Sequence, residues 1–258
     1  KTFAVGVRVE HPRQLIDSIQ FHNSGSHDFG AAEYRLTTQV DERGVYSFCM
    51  CPGGFVVPSS TGPEEIVVNG MSAAGRNSRW SNAAIVVETR PQDIPQEFKS
   101  KAEKLNVPAL SSLFWRQHIE HLTFLNGENQ KAPAQLITDF MEEKQSTSLT
   151  DTSYAPGVIS SPLHKWLPPE ISHRLKKGFS DFNRKMKGYI CSQGILIASE
   201  TRTSTPVRIC RSKESGECSA IERLFPAGEG SGYAGGIVSS AMDGENQCVK
   251  IAELFSAK

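Results

Sequence analysis

Short strand-like segments crowd the first 90 residues, and their spacing limits how the chain can fold. Each segment alternates apolar and polar residues or is rich in β-branched ones, which favours extended structure. The predicted strands are residues 3–10, 34–40, 45–50, 54–58, 65–69 and 84–89. Because the later connections are too short for helical crossovers, most neighbouring strands are expected to run antiparallel. The tetrapeptide Asp41-Glu42-Arg43-Gly44 predicts a hairpin turn between the second and third strands.

Helical patterns appear mainly after this β-rich block. The predicted helices are residues 13–21, 111–126, 134–144, 170–189 and 236–255. Apolar residues recur at three- and four-residue steps in the helix over 170–189 and predict its packed face. They are Ile171, Leu175, Phe179, Phe182, Met186 and Tyr189. Residues 22–30 and 145–161 are polar and turn-rich, which predicts loops, and further strands are predicted at 195–202, 207–211 and 224–227.

This succession of elements predicts an α+β fold with a mixed, mainly antiparallel sheet covered by helices. We expect a domain over residues 1–200, β-rich over 1–90 and helical over 110–190, followed by a C-terminal segment over 201–258. The chain begins without methionine, directly on a predicted strand, which indicates a part of a longer protein.

Charge and composition argue against several classes of partner. The 28 lysines and arginines balance 28 aspartates and glutamates, so the chain lacks the positive field typical of proteins that bind nucleic acid or anionic membranes. No apolar run approaches the roughly 20 residues of a membrane-spanning helix. Six cysteines in 258 residues are too few for a disulfide scaffold. They predict free thiols in a reducing cytoplasm.

A glycine-rich junction near the C-terminus is the strongest functional motif. An apolar segment over residues 224–227 leads into five glycines within residues 228–236, and a predicted helix follows. Glycines let a ligand approach the backbone closely, and a helix N-terminus offers free N–H groups and partial positive charge. The carboxylate of Glu229 can accept hydrogen bonds from sugar hydroxyls. The pattern fits a polar cofactor, and it also fits a sharp turn without a ligand.

The junction resembles the second FAD motif of glutathione-reductase-like flavoproteins through Ala227-Gly228-Glu229 and Gly235-Gly236. The resemblance implies that this strand–loop–helix belongs to an FAD domain. Glu229 would hold the ribityl or pyrophosphate region, and the backbone amides at the helix start would lie near the flavin pyrimidine edge. The cofactor-binding residues implied in this way are Gly228, Glu229, Tyr233, Gly235, Gly236, Ile237 and Arg208.

Longer stretches resemble bacterial proteins described as uncharacterised FAD-dependent, or NAD/FAD-utilising, dehydrogenases. These stretches are residues 3–12, 44–54, 200–209 and 225–236. The resemblance implies hydride or electron transfer between an unknown small-molecule substrate and FAD. Such proteins carry a strand–GxGxxG–helix fingerprint within a βαβ unit that cradles the pyrophosphate. In this chain Gly228, Gly230 and Gly232 belong to the second motif, and nothing later in the sequence supplies a βαβ unit. We therefore expect it to be the C-terminal portion of such a protein, without the N-terminal nucleotide-binding domain, and to bind FAD weakly or not at all by itself.

The segment Cys49-Met50-Cys51-Pro52-Gly53-Gly54 is the second candidate site. Cysteines at positions i and i+2 of a strand face one side about 7 Å apart, too far for an easy disulfide. A zinc site would need partners elsewhere, and the sequence has no second paired-cysteine motif. Two interpretations remain: a catalytic thiol that faces the flavin, and a turn that shapes the ligand cavity.

Other side chains complete the list of candidates. Arg202 and Arg208 fit either an anionic substrate group or an ion-paired surface loop. The catalytic candidates are Cys49, Cys51, Arg202 and Tyr46, and weaker ones are Arg76, Asn77 and the Tyr233 hydroxyl. His118 and His121, three residues apart on a predicted helix, fit surface or packing positions better than a metal site. Besides an oxidoreductase, the chain can be a substrate-recognition module without activity or a thiol-dependent enzyme.

Overall fold

The computed structural model describes residues 1–22 and 30–256. Within them, the dominant feature is a seven-stranded sheet beside a separate two-stranded one. The strands are β1 (Phe3–Pro12), β2 (Thr37–Val40), β3 (Arg43–Cys51), β4 (Phe55–Pro58), β5 (Val68–Met71), β6 (Trp80–Thr89), β7 (Ala132–Leu136), β8 (Val158–Ser160) and β9 (Ile195–Glu200). The large sheet has the order β2-β3-β6-β1-β9-β7-β8, and β4 pairs with β5.

Most of the recorded strand pairs are antiparallel. They are β2 with β3, β3 with β6, β1 with β9, β7 with β9, and β4 with β5, whereas β7 and β8 run parallel. The turn between β2 and β3 is a two-residue hairpin in which Asp41 and Glu42 have φ angles of 47° and 59°. Positive φ at both central positions matches the twist of the flanking strands. The predicted hairpin and the mainly antiparallel α+β fold are confirmed.

The helices lie between the strands in sequence or follow the last of them. They are α1 (Arg13–Gln20), α2 (Gln96–Lys104), α3 (Ser111–Leu125), α4 (Ile137–Met141), α5 (Leu163–Trp166), α6 (Pro169–Lys185) and α7 (Ile237–Ser256). The six apolar residues predicted to form one packed face are all buried, although α6 itself ends before Met186 and Tyr189. Within the described ranges, no helix is long and apolar enough to cross a membrane.

Several predicted elements differ from the structure. The predicted helix over residues 134–144 is instead the end of β7 followed by the five-residue α4. Ala134 and Gln135 are fully buried between β8 and β9, so sheet pairing overrides local helix propensity there. The loop over 145–161 contains β8 and the buried Tyr154. The loop predicted over 22–30 falls mostly on residues 23–29, which lie outside the described residues.

Two strands predicted in the C-terminal segment do not form. Residues 207–211 and 224–227 are irregular, and Leu224 is 39% exposed rather than buried. Their backbone hydrogen bonds go to loops: Ile209 N–H donates to the Ser231 carbonyl oxygen, and Cys218 N–H donates to that of Leu224. The short apolar runs in these two segments predicted strands, but neither segment has a partner strand with which to pair.

The chain divides into two compact units. Among the described residues, the first contains 1–4, 89–115 and 202–256, and the second contains 5–22, 30–88 and 116–201. The second unit holds the large sheet, with a hydrophobic cluster between strands and loops. Its buried members are Val56, Ile66, Val68, Ala132, Ala134, Tyr154, Ile195 and Ile197. The first unit holds the glycine-rich junction and α7.

Candidate functional site

The glycine-rich junction of the first unit is a set of tight turns that leads into α7. Gly232 N–H donates to the Glu229 carbonyl oxygen, and Tyr233 N–H donates to that of Gly228. Gly228 and Gly232 have φ angles of 70° and 88°, which glycine adopts without strain. A Cβ atom at Gly232 would lie 2.4 Å from the Val207 carbonyl oxygen. These two glycines are therefore required by the backbone itself.

The other glycines of the junction have no such local reason. A Cβ at Gly230 would meet no described atom within 4 Å, and at Gly235 and Gly236 it would make only ordinary contacts at 3.7 and 3.5 Å. None of the three has a left-handed φ. Ile237, the first residue of α7, is 88% exposed. The start of the helix thus presents a bare backbone surface that suits close approach by a polar group.

An ion pair fastens the loop to α7. The Asp243 carboxylate accepts from Arg211 Nη2 at 2.6 Å, from Arg211 Nη1 at 3.0 Å and from the Gly228 backbone N–H at 2.8 Å. The Arg211 guanidinium holds the pKa of Asp243 below its usual value. Sequence reasoning missed this pair, because the two residues are 32 positions apart and belong to no recognisable motif.

We call the Arg211–Asp243 ion pair the Arg211–Asp243 clamp. Most of the cofactor residues implied by the sequence lie near it in the first unit. The Arg211 guanidinium lies 3.6 Å from the centroid of the Tyr233 ring, and that of Arg208 lies 4.9 Å from it. The Tyr233 hydroxyl accepts from the Arg211 backbone N–H at 3.0 Å. Arg208 is an exposed residue, and its Nε donates to the Gly232 carbonyl oxygen at 3.1 Å. Tyr233 is thus a support for the loop, and Arg208 can still offer its outer N–H groups.

Glu229 sits at the exposed tip of the same loop. The residue as a whole is exposed, yet desolvation of its carboxyl group raises its pKa, an effect that the Lys1 ammonium partly offsets. Lys1 Nζ donates to the Thr205 carbonyl oxygen at 3.1 Å. One carboxylate and two basic groups are therefore close to the glycine-rich turns. They can bind hydroxyls and anionic groups respectively.

The second unit contains a buried arginine at the centre of a polar cluster. Arg8 is fully buried, and its Nε lies 3.1 Å from Oε2 of Glu200, which is also buried. Arg8 Nη1 donates to the Asn82 side-chain oxygen at 3.0 Å and to the Cys49 carbonyl oxygen at 3.1 Å. Burial raises the pKa of Glu200 to about 6, and Arg8 opposes this shift. Sequence reasoning did not single out Arg8 or Glu200 as partners, because strands β1 and β9 bring them together across 192 positions.

Arg8 also fixes the cysteine segment that the sequence singled out. Cys49 is exposed and has a φ of 43°, at an irregularity in the pairing of β3 with β6. Cys51 is buried, its thiol donates to the Cys49 carbonyl oxygen at 3.3 Å, and its sulfur lies 3.8 Å from Arg8 Nη1. None of the six cysteines forms a disulfide bond. Cys49 is an exposed residue, whereas Cys51 belongs to the interior.

The remaining candidates are scattered. Tyr46 is half-buried in β3. Its pKa is raised mainly by burial and, to a smaller extent, by the Glu88 carboxylate. Arg202 is half-buried at the start of the last segment of the first unit. Arg76 pairs with Glu33, and the His121 ring contacts the Glu64 carbonyl oxygen through Nδ1. In the described residues, no group of three or more histidine, cysteine, aspartate or glutamate side chains is placed to hold a metal ion.

Comparison with known proteins identifies relatives of the chain. The model of a family described as "FAD-dependent protein, C-terminal domain-like" matches residues 2–203. A protein of Clostridium beijerinckii named only "Uncharacterized protein" is 43% identical over 259 residues, covering 98% of this chain. The chain spans 46% of that relative's length. The family match ends before the glycine-rich junction, whereas the similarity to the clostridial protein covers nearly the whole chain.

Proposed function

This chain belongs to the family of FAD-dependent protein C-terminal domains, and from that membership we propose that it is the substrate-side part of a flavin-dependent oxidoreductase. In this proposal the second unit faces the substrate, and the end of the first unit supplies the second of two contacts with FAD. The first contact would come from an N-terminal nucleotide-binding domain of the same protein. The length of the clostridial relative, of which this chain covers 46%, leaves room for such a domain.

The observation that carries the proposal is the bare backbone at the start of α7. Gly230, Gly235 and Gly236 accept a Cβ without conflict among the described residues, so an external group is the simplest reason for glycine there. The N-terminus of a 20-residue helix adds free N–H groups and partial positive charge. These features suit the polar edge of a flavin or the hydroxyls and phosphates of its side chain.

FAD, when bound, supplies the hydride or electron transfer, and the protein contributes position and electrostatics. The amides of Gly235 and Ile237 would donate to the flavin ring edge, and Glu229 would accept from a ribityl hydroxyl. The Gly236 N–H donates to Ser239 Oγ at 3.1 Å in this structure and would exchange this partner for the flavin. Arg208 would pair with a phosphate or an anionic substrate through its unused N–H groups. The Arg211–Asp243 clamp keeps the loop in place by tying Gly228 to α7.

In the second unit, Cys49 is the residue we propose for contact with the substrate. The residue is exposed, and Arg8 holds its carbonyl oxygen through Nη1 and Nη2 at 3.1 and 3.2 Å. Tyr46 and Arg202 are proposed to orient the substrate. A buried arginine with a carboxylate partner gives this turn a fixed position, because breaking such a pair leaves an uncompensated buried charge.

The outer face of α7 supports a further covering domain in the intact protein. Val238, Met242 and Val249 are 72%, 57% and 52% exposed, and helical geometry places them within about 40° of one another. The opposite side carries Asp243 and Gln247, which face the loop of the first unit. A helix with a polar inner face and an apolar outer face is not expected to remain uncovered. We propose that the nucleotide-binding domain covers it.

The decisive experiment uses the protein encoded by the complete gene. We expect it to purify with stoichiometric FAD absorbance and to contain a GxGxxG sequence after a strand upstream of Lys1. Gly236→Val should lower the FAD affinity, since a branched side chain would block the bare backbone, whereas Gly244→Ala on the same helix should not. A colourless full-length protein that takes up no added FAD would overturn the proposal.

A thiol-dependent enzyme is the second candidate, and the exposed Cys49 favours it. Replacing Cys49 and Cys51 together by serine separates the two classes. A thiol enzyme loses its turnover completely and has no turnover that depends on FAD, whereas a flavin enzyme has a turnover that depends on FAD and keeps part of it. Complete loss of a turnover that is independent of FAD would favour the thiol class.

A further inference from the structure

The segment that contains α5 and α6 concentrates positive charge in a chain whose formal charge is zero. Residues 163–187 hold seven lysines and arginines but only two acidic residues, whereas 28 basic and 28 acidic residues balance over the whole chain. Part of this excess borders a cavity and not an open surface. A basic lining in a concave place attracts anions more strongly than the same charges on a flat face, because the low-dielectric walls focus the field.

The cavity has a volume of about 450 Å³ and is formed within the second unit. It is lined by one side of α6, by α5, and by the end of α4 with the turn that follows it. The α6 residues recur at three- and four-residue steps, which places them on one side of the helix. They include Ser172, His173, Lys176, Lys177 and Ser180. The volume lies within the range of sites for small molecules, roughly 300–1,000 Å³.

Three lysines line this cavity, and one of them is already paired. Lys176 Nζ lies 2.7 Å from Oε1 of Glu143, and this ion pair joins α6 to the turn after α4. Lys165 and Lys177 are exposed, and among the described residues neither ammonium group has an ion-pair or hydrogen-bond partner. Three lysines against one glutamate leave the lining with a surplus of two positive charges when its histidines are neutral.

The charged groups from the three walls act on one ring, that of His164. Burial lowers the pKa of His164, the ammonium groups of Lys165 and Lys176 lower it further, and the Glu143 carboxylate opposes them. A charge shifts a neighbouring pKa in this way only when it lies close by. Lys165 of α5 and Lys176 of α6 therefore bring their charges to the same part of the cavity.

A phosphate monoester fits this surplus best. It carries about two negative charges at neutral pH on one compact group, and lysine binds phosphate as a point charge. A single carboxylate would leave one positive charge unmatched, and a dicarboxylate would divide its two charges between its ends. The apolar side chains of Met141 and Leu167 in the lining can contact an organic part. We propose that the cavity between α5 and α6 binds a soluble phosphate monoester of a small organic molecule.

Isothermal titration calorimetry with the complete 258-residue chain tests this binding. The probes are glycerol 3-phosphate and glucose 6-phosphate, and the controls are glycerol, glucose and succinate, all at one ionic strength. We expect saturable binding of at least one phosphate ester with one molecule per chain. The uncharged partners should not bind, and succinate should bind about tenfold more weakly or not at all, since its charges are divided.

Four charge variants test the assigned contacts. Lys165→Gln and Lys177→Gln should each raise the dissociation constant of the phosphate ester about tenfold, the value of one charge-assisted hydrogen bond. Lys187→Gln removes the same charge from an exposed position outside the lining and should change it by less than about twofold. Glu143→Gln frees Lys176 and removes a negative charge, so it should tighten binding about threefold or more. A gain in affinity cannot result from misfolding.

Three results would overturn the proposal. The first is the absence of saturable binding with both phosphate esters. The second is a Lys187→Gln chain weakened as much as Lys165→Gln, together with no gain from Glu143→Gln. The third is sedimentation of the chain with phosphatidic acid vesicles when neither soluble ester binds, which would assign the basic face to a membrane surface. Gly236→Val should leave ester binding unchanged, so this outcome is separate from that of the proposed FAD contact.

Discussion

Two threonines near Glu10 differ in what their hydroxyl groups contribute to stability. Thr152 Oγ1 donates to the buried Glu10 carboxylate at 2.6 Å, whereas Thr150 Oγ1 has no partner among the described residues. We expect Thr152→Val to lower the free energy of unfolding by about 1.5–3 kcal/mol, since a bond to a charged group is lost. Thr150→Val should cost nothing or stabilise slightly. Urea unfolding of both variants at pH 7 measures the difference, and equal effects would contradict it.

His11 makes a prediction about pH. Burial lowers its folded-state pKa to about 4, against 6.5 in the unfolded chain. Between these values the unfolded state binds more protons, so the stabilisation is complete above pH 6.5 and is lost as the pH falls to 4. The loss amounts to about 3 kcal/mol. Urea unfolding at pH 7.5 and 4.5 should show the stability gap between the parent chain and His11→Gln closing toward acid pH.

Glu200 changes the free energy of unfolding with pH in the opposite direction to His11. The contribution of His11 is therefore read from the difference between the parent chain and His11→Gln. Its folded-state pKa is raised to about 6, so between pH 4.5 and 6 the folded state binds more protons. Stability from this group is greatest below pH 4.5 and falls as the pH rises through 6. The two trends oppose each other in that window. A His11→Gln gap that stays constant from pH 7.5 to 4.5 is the result that contradicts the assignment.

Single residues also show where sequence reasoning reached its limit. The six apolar positions around α6 were found, because helical periodicity is a local signal. The pairs Arg8–Glu200 and Arg211–Asp243 were not found, since partners distant in sequence leave no local pattern.

At the scale of elements, the glycine-rich junction separates glycines needed by the backbone from those that are not. Gly232→Ala places a Cβ 2.4 Å from the Val207 carbonyl oxygen at a φ of 88°. We expect a loss of about 1–3 kcal/mol or more in the free energy of unfolding. Gly230→Ala, with open space around it, should change stability by less than about 1 kcal/mol. Thermal unfolding of both variants decides, and a Gly230→Ala chain as unstable as Gly232→Ala would refute the distinction.

Helices, strands and turns were predicted well where the sequence pattern is local. They were predicted poorly where packing against neighbouring strands determines the secondary structure. The β2–β3 hairpin was predicted because its turn residues have a recognisable composition. Residues 134–136 were predicted as helix, yet β8 and β9 on either side make them a buried strand. Residues 224–227 have the composition of a buried strand but no partner to pair with. The predicted junction before α7 was therefore right about its helix and wrong about its strand.

At the scale of the whole molecule, the family membership and the surface of α7 point the same way. The domain family is defined as FAD-dependent, and the clostridial relative is about twice as long as this chain. The apolar outer face of α7 and the bare glycines at its start lie on one helix. A domain that covered this helix would therefore meet the proposed flavin contact and the apolar side chains together.

Substitutions on the outer face of α7 should consequently behave differently in the isolated chain and in the full-length protein. Met242→Ser and Val249→Ser remove exposed side chains, so each should change the stability of this chain by less than about 0.5 kcal/mol. In the full-length protein each should weaken docking by roughly 1–2 kcal/mol, because the same side chains would be buried. FAD retention on gel filtration and thermal unfolding measure this effect. Asn246→Ser, an exposed polar change on the same helix, is the control and should alter neither protein. Full retention of FAD by the double variant Met242→Ser/Val249→Ser would show that α7 is not the docking surface.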